Sequence, residues 1–117
     1  METNSANPSI LGYHAHVYFD AGSIETARRI CIECRDRLGV ELGRMHEKPV
    51  GPHPFWSCQL SFKPDTMADV VGWLALHREG LTVLVHPDTG HEMADHTDHA
   101  IWMGDIAPLN VSIFNDA

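Results

Sequence analysis

Residues 13–19, Tyr-His-Ala-His-Val-Tyr-Phe, constrain the fold of this chain more than any other stretch, because polar and apolar side chains alternate along them. Alternation with a period of two is typical of a β-strand that buries one face. The apolar and polar faces of this strand are Ala15, Val17 and Phe19, and His14, His16 and Tyr18. At a rise of about 3.3 Å per residue the two histidines lie about 6 to 7 Å apart along the strand. Imidazoles at that spacing can bind one Fe, Zn, Cu or Ni ion.

The length and composition are typical of a small globular protein. With 117 residues, of which 44% are hydrophobic and 21% charged, the chain is expected to form a single domain over residues 10–117, after a flexible lead-in over residues 1–9. No apolar run approaches the ~18 residues of a membrane span. The N-terminus has neither the basic start nor the apolar block of a secretory signal, so we expect a cytoplasmic protein.

The net charge argues against two classes of partner. The chain has 16 acidic and 8 basic side chains, which give a formal charge of −8. Nucleic acids and anionic membrane surfaces are bound by basic patches, so we expect neither as a partner. The net charge does not argue for or against a small-molecule ligand.

Cys31 and Cys34 have the spacing of a redox or zinc motif, but their position does not suit either role. Both lie inside a helical pattern, whereas a thioredoxin-type cysteine needs a helix N-terminus. No second pair follows that could complete a zinc site, since Cys58 is the only other cysteine. We interpret all three as reduced structural thiols.

The periodicities predict four strands and two helices in the order βαββαβ. The strands are predicted at residues 10–19, 40–46, 55–62 and 81–86, and the helices at 24–38 and 65–80. The predicted caps and stops of the helices are Ser23 and Gly39, and Asp65 and Gly80. This order predicts a ferredoxin-like α+β fold, with an antiparallel sheet in the order 4-1-3-2 and both helices on one face. In the C-terminal extension, residues 110–114 could form a short final strand.

The predicted topology brings a third histidine to the first two. Strand four should pair antiparallel with strand one, so that the end of strand four lies beside the start of strand one. His86 then arrives next to His14 and His16, on the sheet face that the helices leave open. Three histidines on two neighbouring strands predict a shared functional site.

The open sheet face needs a cover. The C-terminal extension could supply it, or a second subunit could, and we expect a homodimer because closed dimers are the commonest oligomers. Either cover would enclose a cavity around the histidines. Candidate apolar walls for it are Tyr18, Leu84 and Trp102.

Four stretches of the chain resemble the DOPA 4,5-dioxygenase family, and the resemblance extends over about residues 12–114. They are residues 13–19; residues 47–54, Glu-Lys-Pro-Val-Gly-Pro-His-Pro; residues 86–90, His-Pro-Asp-Thr-Gly; and residues 95–104, Asp-His-Thr-Asp-His-Ala-Ile-Trp-Met-Gly. The family is named for a fungal pigment enzyme that opens the catechol ring of DOPA with O₂. The resemblance implies a ferredoxin-like fold and an extradiol ring-cleaving dioxygenase that uses non-haem Fe(II), with O₂ as cosubstrate and a catechol such as DOPA as substrate.

Such chemistry needs an iron ion with open positions, which a facial set of three protein ligands provides. We predict His14, His16 and His86 as the metal ligands. Two histidines and one carboxylate are the usual set, so a carboxylate could also bind, and a site of three histidines without a carboxylate is the alternative. The candidate carboxylates are Glu47, Asp88, Asp95 and Asp98.

A further histidine could act as general acid or base on the catechol. His53 is the first candidate, in a loop stiffened by prolines, although the topology places this loop at the opposite end of strand three from His86. His96 and His99 compete for the role. The predicted substrate-binding residues are Tyr18, Gln59 and Trp102, and the histidines predicted to be structural or solvated are His46, His77 and His91.

Two other classes of function agree with the same residues. One is a non-catalytic dimeric module that binds an aromatic or metal ligand. The other is a zinc-dependent hydrolase, since three histidines and an open position also suit zinc.

Overall fold

A strand with histidines on one face, β1 (Gly12–Phe19), lies at the centre of a five-stranded antiparallel sheet in the computed structural model, which describes residues 9–114. The other strands are β2 (Glu41–Leu42), β3 (Trp56–Phe62), β4 (Val83–Asp88) and β5 (Ile101–Met103). Their order in the sheet is β2-β3-β1-β4-β5. The predicted order 4-1-3-2 is confirmed, with β5 added outside β4. The predicted lead-in falls on residues 1–8, which lie outside the described part, and on Ser9.

The hydrophobic core lies between one face of the sheet and the helices α1 (Ile24–Leu38) and α2 (Met67–His77). Ala15, Val17 and Phe19 of β1 belong to this core, as their period of two predicts. The core residues on the neighbouring strands and on the helices are Cys58, Leu60, Phe62, Val83, Val85, Ala27, Ile30, Cys31, Cys34, Val70 and Leu74. The three cysteines are free and buried, which agrees with structural thiols.

Both predicted ends of α1 are observed, whereas α2 ends at His77, before the predicted stop at Gly80. Ser23 occupies the N-cap position of α1, and Gly39 ends that helix in the left-handed conformation, where its N–H donates to the Arg35 carbonyl. Gly80 also has a positive φ, three residues after the end of α2. The prediction of Asp65 as a cap is wrong: it lies in a 3-10 turn, Pro64–Thr66, and Thr66 takes the N-cap position of α2.

β2 and β4 differ most from their predicted bounds, and the ladder shows how. β2 is shorter than predicted, since its ladder with β3 covers only Glu41 and Leu42, and the chain leaves the sheet after Gly43, whose N–H donates to the Gln59 carbonyl. It returns only as a single bridge between His46 and Ser57. β4 runs through Pro87 to Asp88 because β5 pairs with it only as far as Val85. Beyond that point β4 is an edge strand, where proline costs no ladder hydrogen bond.

The other face of the sheet is covered by the connection between β2 and β3, by the short helix α3 (Glu92–His96) and by the C-terminal part of the chain. Residues 110–114 are not a strand, which corrects that prediction: Val111–Ile113 form a 3-10 turn. The edge of the sheet beside β4 is occupied by β5 instead. The N–H of Asn110 donates to the Pro52 carbonyl, which joins the C-terminal part to the connection between β2 and β3. No helix among residues 9–114 has the length and apolar character needed to cross a membrane.

Candidate metal and catalytic site

The register of β1 and β4 assembles three histidines on the covered face of the sheet. His14 pairs directly with His86, and His16 lies two residues further along β1 on the same face. The predicted meeting of His86 with the two β1 histidines is therefore present in the structure. Their ring centroids are 5.1 to 6.0 Å apart.

The donor atoms of this histidine triad, His14, His16 and His86, converge. One ring nitrogen from each lies within 4.8 Å of the other two, and Nε2 of His16 is 3.0 Å from Nε2 of His86. Two ring nitrogens bound at a right angle to one ion, each at about 2.1 Å, would also lie about 3.0 Å apart. The donor set therefore fits a divalent transition-metal ion bound on one side, with positions left for other ligands.

The tautomer of His86 also suits a metal ligand. Its Nδ1 lies 2.8 Å from the carbonyl oxygen of Pro87. A carbonyl only accepts, so Nδ1 carries the proton, and a neutral ring leaves the lone pair of Nε2 free. Metal-binding histidines are oriented in this way by a backbone carbonyl or a carboxylate.

Burial keeps the histidines of this site neutral. His16 and His86 are 4% and 3% exposed, and His14 is half-buried. Burial, followed by the neighbouring histidines His53 and His86, holds the pKa of His16 well below its ordinary 6.5. Burial lowers the pKa of His86 to about 4. Neutral imidazoles are the form that binds metal.

His53 lies against the triad, which corrects the expectation that its loop is remote from His86. The ring centroids of His53 and His16 are 4.1 Å apart, and His53 is 7% exposed. The connection after β2 runs back along the covered face, because its His46 pairs with Ser57 before the chain reaches Pro52. The N–H of His53 donates to the Val50 carbonyl and closes a tight turn.

Tyr18 holds His53 in place. The Tyr18 hydroxyl lies 2.7 Å from Nδ1 of His53, and both side chains are buried. Burial raises the pKa of Tyr18, so the phenol keeps its proton and can donate it to that nitrogen. In this arrangement a neutral His53 carries its own proton on Nε2.

His96 is the fifth histidine of the cluster, whereas His99 lies outside it. The His96 ring centroid is 4.0 Å from that of His86 and 4.8 Å from that of Phe114. Nδ1 of His96 lies 2.7 Å from the Glu92 carbonyl, so Nδ1 is the protonated nitrogen of the neutral ring. The side chain of His99 is 48% exposed and lies 3.3 Å from the Asp95 carboxylate. The geometry favours His96 over His99 as a group near the metal.

None of the four candidate carboxylates joins the triad as a donor in the described residues. Asp95 is buried, but its two oxygens accept hydrogen bonds from the amide and hydroxyl of Thr89, which fixes α3 to the end of β4. Asp88 is half-buried at the end of β4 and accepts a hydrogen bond from the Gly90 amide. Glu47 and Asp98 are exposed. A three-histidine donor set is the option that the structure supports.

A cavity of about 310 Å³ opens beside the triad. His53, His96 and Gln59 contribute to its wall, and the Gln59 amide donates to the Ser61 hydroxyl at 3.0 Å. Residues that the sequence did not indicate for this site also line it: Val50, Glu92, Ile113 and Phe114. They belong to the loop, to α3 and to the C-terminal turn, and no periodic pattern marks them.

The predicted aromatic residues Tyr18 and Trp102 lie away from this cavity. Their rings are 6.2 Å apart and pack with Leu84 and Ala107 in a second apolar cluster that fixes the C-terminal segment to the sheet. Tyr18 also lines a larger cavity of about 540 Å³, at the end of β1 away from the triad. No histidine lines that cavity among the described residues, so the smaller one is the candidate active site.

The remaining histidines, predicted to be structural or solvated, are His46, His77 and His91. His77 is exposed, stacks on Trp73 at 4.4 Å and lies 2.7 Å from the Trp73 carbonyl. His46 forms the bridge to Ser57, and His91 takes the N-cap position of α3.

The comparison with protein families finds one family over most of the chain. Residues 13–113 match the Dopa 4,5-dioxygenase family. The matched stretch includes all five clustered histidines.

Two fungal proteins are similar in sequence. The DOPA 4,5-dioxygenase of Amanita muscaria is 32% identical over 110 residues, which cover 86% of this chain and 48% of the fungal protein. An uncharacterised 21.2 kDa protein of Botryotinia fuckeliana is 38% identical over 114 residues, 86% of this chain and 62% of that protein. The chain thus spans about half to three-fifths of these relatives.

A solved structure is similar along nearly its whole length. The crystal structure of a candidate dioxygenase from Nostoc punctiforme superimposes with a TM-score of 0.88 at 44% sequence identity, and the match covers 92% of this chain and 94% of that one. Likeness at this level supports the fold and the arrangement of strands that carries the triad.

Proposed function

This chain belongs to the Dopa 4,5-dioxygenase family, and on that basis we propose that it is a non-haem iron dioxygenase that cleaves the ring of a catechol beside a hydroxyl. The observation that carries the proposal is the histidine triad at the wall of a small cavity, with two further histidines within ring contact of it. Catechol and O₂ are the proposed substrates.

The triad would hold the iron through one nitrogen of each ring. Iron bound in this way supplies open positions at which a catecholate and O₂ can meet. The 3.0 Å separation of Nε2 of His16 and Nε2 of His86 supports binding on one side of the ion. Because no carboxylate joins the triad among the described residues, the bound ion would keep its full positive charge toward the substrate.

His53 and His96 are the groups that would move protons in the cavity. A catechol must lose protons when it binds a metal, and the ring-opening steps need a proton donor. Burial lowers the pKa of His53 to about 4, so its ring is neutral at pH 7. Because the Tyr18 hydroxyl donates to Nδ1 of His53, the ring proton is on Nε2, which can donate to substrate. His96 has the opposite tautomer, since its Nδ1 donates to the Glu92 carbonyl, and its Nε2 can accept a proton.

The walls of the cavity suit a small aromatic ring. Val50, Ile113 and Phe114 provide apolar surface, and Gln59 is a polar group on the floor formed by the sheet. Ligand sites range from about 300 to 1,000 Å³, and a cavity of about 310 Å³ lies at the lower end. A substrate with one ring and a short side chain is therefore favoured.

A zinc-dependent hydrolase is the second candidate, because a donor set of three histidines without a carboxylate also occurs at catalytic zinc. Family membership favours the dioxygenase. The two functions differ in their need for O₂ and in the metal that supports turnover.

The test is an oxygen-electrode assay of metal-free protein reconstituted anaerobically with Fe(II) or with Zn(II). We expect the iron form to consume one O₂ for each catechol lost, and the zinc form to consume none. A His16→Ala variant treated in the same way controls for catechol autoxidation by loose iron. Catechol-dependent O₂ uptake that is equal in the variant and the wild type would refute the proposal.

A further inference from the structure

Neither lysine nor arginine lines the candidate active site. All 8 lysine and arginine residues of the chain lie between positions 28 and 78, within the described part. Arg28, Arg29, Arg35 and Arg37 are on α1, on the other side of the sheet, and none of the eight lines the cavity beside the triad. A substrate carboxylate would find no lysine or arginine to pair with there.

The charged side chain that does line this cavity is an acid. Glu92, the first residue of α3, is exposed at its wall. Its charge and that of Asp88 both act on His14, and the charge of Asp95 acts on His86. Apart from a bound metal ion, the local field is therefore negative.

From this charge distribution we propose that Glu92 determines the specificity of the site by binding a positively charged amine on the side chain of the catechol. The inference rests on the proposed function and assigns it a specificity-determining residue. Burying a carboxylate without a partner is costly, and placing it beside like charges adds repulsion. An ammonium group on a short side chain would instead lie near Glu92 while the catechol oxygens approach the triad.

DOPA, the catechol in the name of the Amanita muscaria relative, carries both an ammonium and a carboxylate. In this chain only the ammonium has a counter-charge at the cavity. An amine without the acid, such as dopamine, should therefore bind better than a catechol that bears a carboxylate alone.

The experiment measures binding, separately from turnover. Anaerobic Fe(II)-loaded protein is titrated calorimetrically at pH 7.5 with dopamine, ethylcatechol and dihydrocaffeate, which have similar side chains of positive, zero and negative charge. We expect dopamine to bind at least about fivefold more tightly than dihydrocaffeate, with ethylcatechol between them, as is reasonable for one partly solvated charge pair.

The variant Glu92→Gln should reduce this ratio to less than about twofold, since it removes the charge and keeps the side-chain length. The control Asp69→Asn makes the same change in net charge at an exposed position of α2, on the other side of the sheet. It should leave the ratio unchanged. Higher salt should lower the ratio in the wild type.

Three results would overturn the inference. Equal or tighter binding of dihydrocaffeate refutes the charge preference while leaving the catechol function intact. A preference that persists in Glu92→Gln refutes the role of Glu92. If none of the three catechols binds, the proposed function itself fails, and the inference fails with it.

Discussion

The hydroxyl of Tyr18 lies 2.7 Å from Nδ1 of His53, and this buried contact joins the central strand to the loop that covers it. The contact places the His53 ring over His16, with centroids 4.1 Å apart. A loop residue is thereby held at the metal site by a residue of β1. Rigid support of this kind is what a proton-transferring group needs.

If His53 moves protons without binding the metal, His53→Ala should retain iron and lose turnover. General acid–base groups typically contribute about 10²- to 10⁴-fold, so kcat should fall by that range while catechol affinity changes less. Steady-state kinetics and iron analysis of the same preparation check this. Tyr18→Phe keeps the ring that packs on Trp102 but removes the hydroxyl, and it should show a smaller loss of kcat.

Wild-type turnover in an iron-replete His53→Ala protein would mean that His53 only fills space. His96 would then be the candidate for the proton-transferring group. Loss of iron in this variant would make His53 a metal ligand instead.

The histidine triad should be required for metal binding. His16→Ala and His86→Ala each remove one of two nitrogens that lie 3.0 Å apart, so iron content after anaerobic reconstitution should fall from about one per chain to a small fraction. His77→Ala is the matched control, because His77 is exposed on α2 beside Trp73. Stoichiometric iron in both triad variants would contradict the assignment.

The metal-free protein should lose stability in acid. Burial lowers the pKa of His53 and of His86 from the ordinary 6.5 to about 4. Below pH 6.5 the unfolded chain therefore binds protons that the folded chain does not, and stability falls between about pH 6.5 and about pH 4. Each of these two groups should contribute on the order of 2 to 3 kcal/mol to that loss.

Urea unfolding with a chelator present, at several pH values in this window, measures the effect. Carboxylates titrate over part of the same range, so the slope is compared with that of His86→Gln. The variant should show a shallower dependence by up to about one proton. Identical slopes would show that the His86 imidazole takes up protons equally in both states.

A homodimer remains our prediction for assembly. Residues of the C-terminal segment, among them Ala107, already cover Tyr18 and Leu84, so a dimer need not form on the whole open face. Light scattering at micromolar concentration should give about twice the chain mass of 13.0 kDa. A monomer would indicate that the chain itself covers this face, through the β2–β3 connection, α3 and the C-terminal segment.

The triad could be predicted from sequence because it depends on two regular features. The period of two puts His14 and His16 on one face, and antiparallel pairing of the fourth strand brings His86 opposite His14. The core residues and the end of α1 at Gly39 follow from similarly local rules. A helical stripe or a left-handed glycine is encoded within a few residues of itself.

The position of His53 could not be predicted in this way. Its loop has no period, and the prolines restrict the backbone without specifying where the loop lies. The contacts that decide its path are the His46–Ser57 bridge and the Tyr18–His53 contact, both between residues distant in sequence. The three-residue strand β5 was missed for a related reason, since Ile101–Met103 is too short for a clear alternation.

The most direct test of the central claim is the fate of labelled oxygen. Iron-loaded protein is given a catechol under ¹⁸O₂, and the product is analysed at once by mass spectrometry. A ring-cleaving dioxygenase places both atoms of one O₂ in the open-chain product, and His86→Ala should yield none of it. Product without label from O₂, or an intact catechol under conditions where the triad holds iron, would contradict the account.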